Sequence, residues 1–307
     1  MLMLFKVVAY RSWIDYVLAA VPVNSGSKQS MTIYLSLILK KLKRFSSLSL
    51  PLILLFFMAP IKADDTISQI LKRGVLRVGL EAGYVPFEMK DKQGRLIGFD
   101  VDLANMIARE MGVKVELINT EWDGMIPSLI TRKFDLVAAG MTLTQQRNLK
   151  VNFSDPYIEI GQTVLIRKDL AKTIKSYKDL NQAKWKISSK LGTSGELAAK
   201  KYLPKAQYRA YQTEQEAVME VVNGRVDAFV YDAPYNIIYA GGKGKGTIHH
   251  LPETFTYEPI AFAVTKGDPD FLNWLNNFIR QIKKDGRYQK VYEAWFKETD
   301  WLKKIQD

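Results

Sequence analysis

Short apolar runs alternate with amphipathic stretches along this chain, and that alternation restricts it to folds in which helices cover a mostly parallel sheet. Leu76 to Leu80 reads as a short apolar strand. Val101 to Met111 follows as a helix with Leu103, Met106 and Ile107 on one face, capped by Asp100 in front and Gly112 behind. Val113 to Ile118 is a second strand, Trp122, Ile126, Leu129 and Ile130 mark the next amphipathic helix, and Phe134 to Ala139 is a third strand. The pattern then repeats with different residues. It runs through a strand at Trp185 to Ser189, a helix after Thr193, an extended stretch at Tyr208 to Tyr211, a helix at Glu214 to Asn223 and a strand at Val226 to Tyr231. The second of these helices opens with the capping box Thr213-x-x-Glu216, in which each side chain satisfies the other residue's free N–H, and it closes at Gly224.

Both halves contain the same phrase: an amphipathic helix, a polar turn, an Asp, a buried strand, and a polar residue or glycine where that strand ends. Asp135 precedes Gly140 by five residues, and Asp227 precedes Asp232 by five. Ligands in open parallel sheets sit outside the carboxyl ends of strands, so two such ends facing each other make a cleft between lobes. The competing explanation is that any two βαβ units look alike at this level. Two extended stretches, Tyr157 to Ile166 and Thr256 to Thr265, flank the second unit. They suggest a lobe inserted into another lobe, with lobe 1 made of residues 64–158 and 259–307 and lobe 2 of residues 159–258. Phe271, Leu275, Phe278, Ile279 and Ile282 share a helical face, and Tyr288 to Phe296 makes another, so the C-terminal region should pack back on lobe 1.

A length of 307 residues suits about two domains at roughly 150 residues each. The net charge of +12 invites a nucleic-acid reading until it is divided along the chain. Residues 1–63 hold eight basic side chains and one acid, which leaves 36 basic against 31 acidic in the remainder, a mild excess. The apolar run Leu48 to Ile61, with Lys40, Lys41, Lys43 and Arg44 before it, reads as a secretory signal peptide. Pro51 and Pro60 interrupt it, and it is shorter than the ~20 apolar residues that span a bilayer. Met31 is a more ordinary start for such a signal than Met1, which makes the first residues an over-extension and places the mature start near Asp64, outside the cytoplasmic membrane. The absence of cysteine excludes disulfides, thiolate catalysis, cysteine zinc sites, iron–sulfur clusters and a lipid-modified N-terminal Cys.

Several spaced motifs, in order, make residues 66–298 resemble the polar amino acid family of solute-binding proteins that serve ABC importers. They are Tyr84-Val85-Pro86-Phe87, Gly98-Phe99-Asp100-Val101-Asp102-Leu103, Ala139-Gly140-Met141-Thr142-Leu143-Thr144 with Arg147, and Phe153-Ser154-Asp155-Pro156-Tyr157. The resemblance implies an α/β, two-lobed periplasmic-binding-protein fold with two hinge strands, closing on a ligand. It implies no cofactor and no catalytic residue, a permease and an ATPase as partners, and a monomer.

A free amino acid offers a carboxylate, an ammonium and a side chain, so its pocket needs a forked cation, an anion and a selective wall. Arg147 matches the family's carboxylate-binding position, where a guanidinium gives two parallel bonds that lysine does not reproduce; outside that setting an arginine is ordinarily a solvated surface charge. Thr142 would add its hydroxyl and Gly140 a carbonyl for the ammonium. Gly192-Thr193-Ser194-Gly195 lies between a strand and a helix beginning near Glu196, so Thr193 and Ser194 should clasp the same carboxylate at a helix N-terminus. A nucleotide loop competes with this, but no GxxxxGK[ST] pattern is present. Asp232 matches the ammonium-binding acid, with helix N-capping ahead of Ala233-Pro234 as its alternative. Tyr84 and Trp122 match aromatic positions that sandwich the ligand's aliphatic part, and either is also compatible with ordinary core. Glu81 falls where relatives place a side-chain-reading acid, which favours a basic or amide end, and Lys190 sits at a position that varies.

Other signals carry less. His249-His250 follows a glycine-rich stretch and reads as part of a surface loop, not a metal site. Asn152-Phe153-Ser154 is a sequon expected to stay unmodified. No HExxH or Ser-His-Asp arrangement stands out. The leading expectation is a non-enzymatic receptor for a polar L-amino acid. Its alternative is a cyclohexadienyl (prephenate or arogenate) dehydratase on the same fold, with Glu81 as the acid.

Overall fold

The computed structural model describes residues 65–305. The expected signal segment, the alternative start at Met31 and the processing point near Asp64 lie outside the described residues. Helix α1 (Thr66–Arg73) is fixed at both ends: Asp65 accepts from the Ser68 N–H, and Gly74, at φ +69°, turns its N–H back to the Ile70 and Leu71 carbonyls. Strand β1 (Val75–Leu80) then runs parallel to β4 (Lys114–Asn119) on one side and β5 (Leu136–Val137) on the other. Strand β14 (Ala263–Val264) joins β5 antiparallel, and β6 (Asn152–Phe153) closes that edge, giving the order β4-β1-β5-β14-β6. A small hairpin of β2 (Met89–Lys90) and β3 (Leu96–Ile97) stands apart.

The second sheet repeats the plan. Its order is β10 (Gln207–Tyr211), β9 (Lys186–Lys190), β11 (Ala228–Asp232), β8 (Gln162–Arg167) and β12 (Ile248–Leu251). The first three are parallel, and β8 pairs antiparallel with both β11 and β12, so β12 runs with the first three. The expected parallel direction therefore holds for four strands in each lobe, since β6 and β5 both pair antiparallel with β14. The one reversed strand in each, β8 or β14, enters directly from a crossing between the sheets. The crossing is made by β7 (Ile158–Ile160) and β13 (Glu258–Ile260), which pair antiparallel with each other and lead into β8 and β14 respectively.

Three local readings need correction. Helix α2 spans Phe99–Glu110 with Gly98 as its N-cap, so Asp100 sits inside the first turn and its buried side chain does not cap the helix. Trp122–Gly124 is a 3-10 turn leading into α3 (Met125–Ile130). There Met125 and Leu129, four apart, take the buried face and push Ile130 into solvent. His249 and His250 lie in β12, paired with β8, and His250 contacts the Thr163 hydroxyl at 3.0 Å.

The remaining helices are α4 (Gln145–Asn148), α5 (Ser194–Tyr202), α6 (Glu214–Val222), α7 (Ala233–Gly241), α8 (Pro269–Lys284) and α9 (Arg287–Phe296). The capping box of Thr213 and Glu216 opens α6 as its spacing requires. Phe271, Leu275, Phe278, Ile279 and Ile282 of α8 are all buried, against α1 and the first sheet. Each such side chain withdrawn from water contributes about 1.5–3 kcal/mol. The Thr66 N–H donates to Asp268 ahead of α8, and the Trp295 indole of α9 donates to Asp102 of α2, so the C-terminal helices are tied to the first lobe.

Candidate functional site

The carboxyl ends of β1 and β5 in the first sheet meet those of β9 and β11 in the second. Glu81 follows β1 directly and accepts the Trp122 N–H at 3.2 Å. Gly140 lies just past β5 with φ +52°, and its N–H donates to Asp100 at 2.7 Å. A Cβ there would lie 2.2 Å from the Tyr84 ring, so only glycine lets that ring close over the strand end. Tyr84 stacks on Phe87 and meets Tyr231 edge-on. Arg147 comes from α4, whose N-cap Thr144 accepts the Arg147 N–H.

The facing wall belongs to the second lobe. Lys190 ends β9, Thr193 is the N-cap of α5, and Ser194 opens that helix. Asp232 ends β11 at the N-cap position of α7, yet its side chain makes no capping bond. It accepts instead from the Tyr84 hydroxyl across the cleft and from the Gln162 amide at 2.5 Å. The side chain of Asp232 thus faces the cleft and does not cap the helix.

Opposed groups meet throughout. Arg147 donates with one Nη to the Thr142 carbonyl at 2.8 Å and with the other to the Gly192 carbonyl at 3.1 Å. The Trp122 indole reaches the same Gly192 carbonyl at 3.0 Å and lies 5.1 Å beneath the guanidinium. The Thr142 and Ser194 hydroxyls are 3.1 Å apart. Lys190 spans the cleft to Glu81 and bonds Glu214 of its own lobe at 2.9 Å.

Burial sets the charges. Desolvation pushes the Asp232 carboxyl up to about 7, against the Tyr84 hydroxyl and Arg147, with Glu258 of the crossing strand adding to the rise. Desolvation likewise draws Arg147 down to about 10, which leaves it cationic at neutral pH. Asp100 is pushed up to about 7 by burial, opposed by the Gly140 N–H and the Tyr157 hydroxyl. Glu88, buried and beside Asp100, is raised well above the carboxylate range.

All ten residues expected from the sequence, Glu81, Tyr84, Trp122, Gly140, Thr142, Arg147, Lys190, Thr193, Ser194 and Asp232, line one cavity, joined by Glu88, Ala139 and Tyr231. Its volume is about 20 Å³, room for about one water, because the site's own side chains fill it. A groove of about 1030 Å³ near the crossing strands, along α7 and the C-terminal segment, is far larger but mainly apolar and brings together no comparable set of opposed charges. Glu88, Gln162 and Glu214 were not singled out from the sequence. Gln162 carries a signal, a polar residue opening the apolar run through Ile166; Glu214, at the start of a helix, and Glu88 carry none in the local spacing. Among the described residues no cluster of His, Asp and Glu suits a metal ion, and no helix is long and apolar enough to cross a membrane.

Residues 76–298 match the family model described as bacterial extracellular solute-binding proteins, family 3. The L-cystine-binding protein TcyJ of Escherichia coli is 32% identical over 76% of this chain and 86% of its own length. The arginine-binding protein 1 of the same organism is 31% identical over 72% and 90%. Among solved structures, a putative ABC-transporter binding component from Wolinella succinogenes, complexed with lysine, is 55% identical with a TM-score of 0.74, covering 76% of this chain and all of that one. An ancestral amino acid-binding protein described as a precursor of cyclohexadienyl dehydratase is 51% identical with a TM-score of 0.71, over 76% and 100%. With the matching motifs, two sheets of one plan and paired crossing strands, the chain belongs to the bacterial extracellular solute-binding proteins of family 3, the two-lobed amino-acid-binding proteins of ABC transporters.

Proposed function

We propose that this chain is an extracytoplasmic receptor that captures a polar L-amino acid, with a basic or amide side chain favoured, and presents it to an ABC permease and its ATPase. The observation that carries this reading is the placement of Arg147, half-buried, and Asp232, buried, around a single cavity between the two sheets. Arg147 turns its fork from the Thr142 and Gly192 carbonyls to the ligand carboxylate, which gains two charge-assisted bonds. Ser194 and Thr142, now bonded to each other, add their hydroxyls. The ligand ammonium takes the place of the Tyr84 hydroxyl on Asp232 and favours its ionised form. Relatives bound to lysine and to arginine support a cationic side chain, and Glu81 supplies an acid for it. Hinge motion at β7 and β13 admits the ligand, since about 20 Å³ does not hold an amino acid.

The test is calorimetry on protein unfolded and refolded to strip carried-over ligand, against the twenty L-amino acids plus ornithine, citrulline and cystine. Tight one-to-one binding of a basic or amide member is expected; silence across the panel overturns the reading. Two acids at the cavity support the dehydratase alternative: Glu81, raised by burial against the pull of Lys190, and Glu88, buried and held toward its neutral form. The ancestral relative described as a dehydratase precursor is itself an amino acid-binding protein, which favours the receptor. Prephenate and arogenate should therefore yield no phenylpyruvate or phenylalanine.

A further inference from the structure

We propose that Lys190 is an internal competitor for the ligand's side-chain cation and so determines the specificity of the site, an inference that rests on the receptor reading above. The Lys190 side chain is 3% exposed, and its ammonium sits between two carboxylates, Glu81 across the cleft and Glu214 in the first turn of α6. The Trp122 ring lies 5.8 Å away, so the ammonium has two anionic partners and an aromatic face, the surroundings a ligand's cationic end requires. Burial alone would pull this lysine toward neutrality, but Glu214 and Glu81 more than restore it and it stays charged. The cavity keeps about 20 Å³ with Lys190 in place, so a long side chain enters this end only if the lysine withdraws.

The charge count makes that withdrawal feasible. Two carboxylates share one ammonium, while Glu88, another acid at this end of the cavity, is held toward its neutral form by burial and by Asp100. One negative charge is therefore available to an incoming cation. When that cation takes Glu81, which also accepts the Trp122 N–H, Lys190 keeps Glu214 and no buried charge is left unpaired. A neutral side chain offers Glu81 no such replacement, so it leaves the Lys190 to Glu81 bridge closed. The lysine thus lowers affinity for cationic ligands and costs neutral ones nothing, since they leave its bridge to Glu81 intact.

Binding of L-lysine and of L-glutamine to the wild type, Lys190→Met and Glu214→Gln, measured by calorimetry with melting curves as the check on folding, tests this. Lys190→Met should bind L-lysine at least tenfold more tightly, with L-glutamine unchanged or weaker. Glu214→Gln removes the partner Lys190 falls back on and should weaken L-lysine severalfold. Unchanged or weaker L-lysine binding by Lys190→Met, or a parallel gain for both ligands, overturns the proposal while leaving the receptor reading intact. If Lys190→Met does not fold, Glu214→Gln decides: weaker L-lysine binding supports the competitor, and equal or tighter binding removes it. If neither the wild type nor Lys190→Met binds L-lysine, the cationic reading of the site falls and the inference falls with it.

Discussion

The two lobes are built alike and finished differently. In each, an Asp stands just before the third parallel strand and ties down its neighbour. Asp135 accepts the Arg77 N–H at 2.9 Å, holds the Arg77 guanidinium at 2.8 Å and also binds Arg73. Asp227 accepts the Lys186 N–H at 2.9 Å and meets Arg167 at 3.3 Å. Five residues on, the likeness ends: the first lobe presents Gly140, which contributes backbone and lets Tyr84 close in, while the second presents the carboxylate of Asp232. The upstream Asp belongs to the scaffold and the strand-end residue to the chemistry. Repetition in sequence therefore marks what the fold needs, and on the receptor reading proposed above, departure from repetition marks what the ligand meets.

The largest effects should come from removing the two charges that distinguish the walls. Arg147→Ala and Asp232→Asn should each weaken amino-acid binding at least tenfold, since hydrogen bonds to charged groups contribute about 1.5–3 kcal/mol and leave a buried ionic partner unsatisfied when lost. Arg147→Lys should recover little, because an ammonium does not reproduce the fork. Calorimetric affinity within threefold of wild type for any of these would take that residue out of the site.

A pH series sharpens the same contrast, because only the second lobe offers a titrating strand end. Asp232 is held at about 7 by burial, so below that pH it is protonated before the ligand arrives, and the ammonium must displace a proton. Affinity should fall about tenfold between pH 8 and pH 6 and be level above pH 8, with proton release seen as a dependence of binding heat on buffer ionisation enthalpy. Fold stability without ligand should move the other way. A carboxyl raised from 3.8 to about 7 on folding, as for Asp232 and Asp100, binds its proton more tightly in the folded chain. Its contribution is fully present below about pH 4 and is lost as pH rises through 7. An affinity flat from pH 6 to 8 would mean that Asp232 does not face the ammonium.

The strand–helix alternation, the capping box at Thr213 and the face of α8 were all legible, because local patterning alone determines them. The antiparallel strands β8 and β14 were less so, since their partners lie far away in the chain. Asp100 shows why one kind of residue is misread: its position before an apolar helical run has the form of a cap, and only the folded chain brings Gly140 and Tyr157 to its carboxylate. Glu88 and Glu214 escaped for the related reason that burial of an acid leaves no trace in local spacing. The ten cleft residues could be named from motifs, yet the pairing of Lys190 with Glu81 and Glu214 depends on the approach of two lobes, which no motif encodes.

Two smaller effects probe the scaffold side of the comparison. Gly140→Ala sets a Cβ 2.2 Å from the Tyr84 ring at a φ of +52°, and should cost about 1–3 kcal/mol of stability and weaken binding severalfold. Asp135→Asn and Asp227→Asn should leave affinity within about twofold of wild type, because neither residue lines the cavity. Their stability costs should differ. Asp135 holds two arginines and a backbone N–H, so its change should lower stability by about 1.5–3 kcal/mol; Asp227, with one arginine at longer range, should lose about 1 kcal/mol or less. Denaturant melts read both values. If either substitution altered ligand affinity as strongly as Asp232→Asn, the upstream Asp would be acting on the site through its strand, and the division between scaffold and chemistry would have to be redrawn for that lobe.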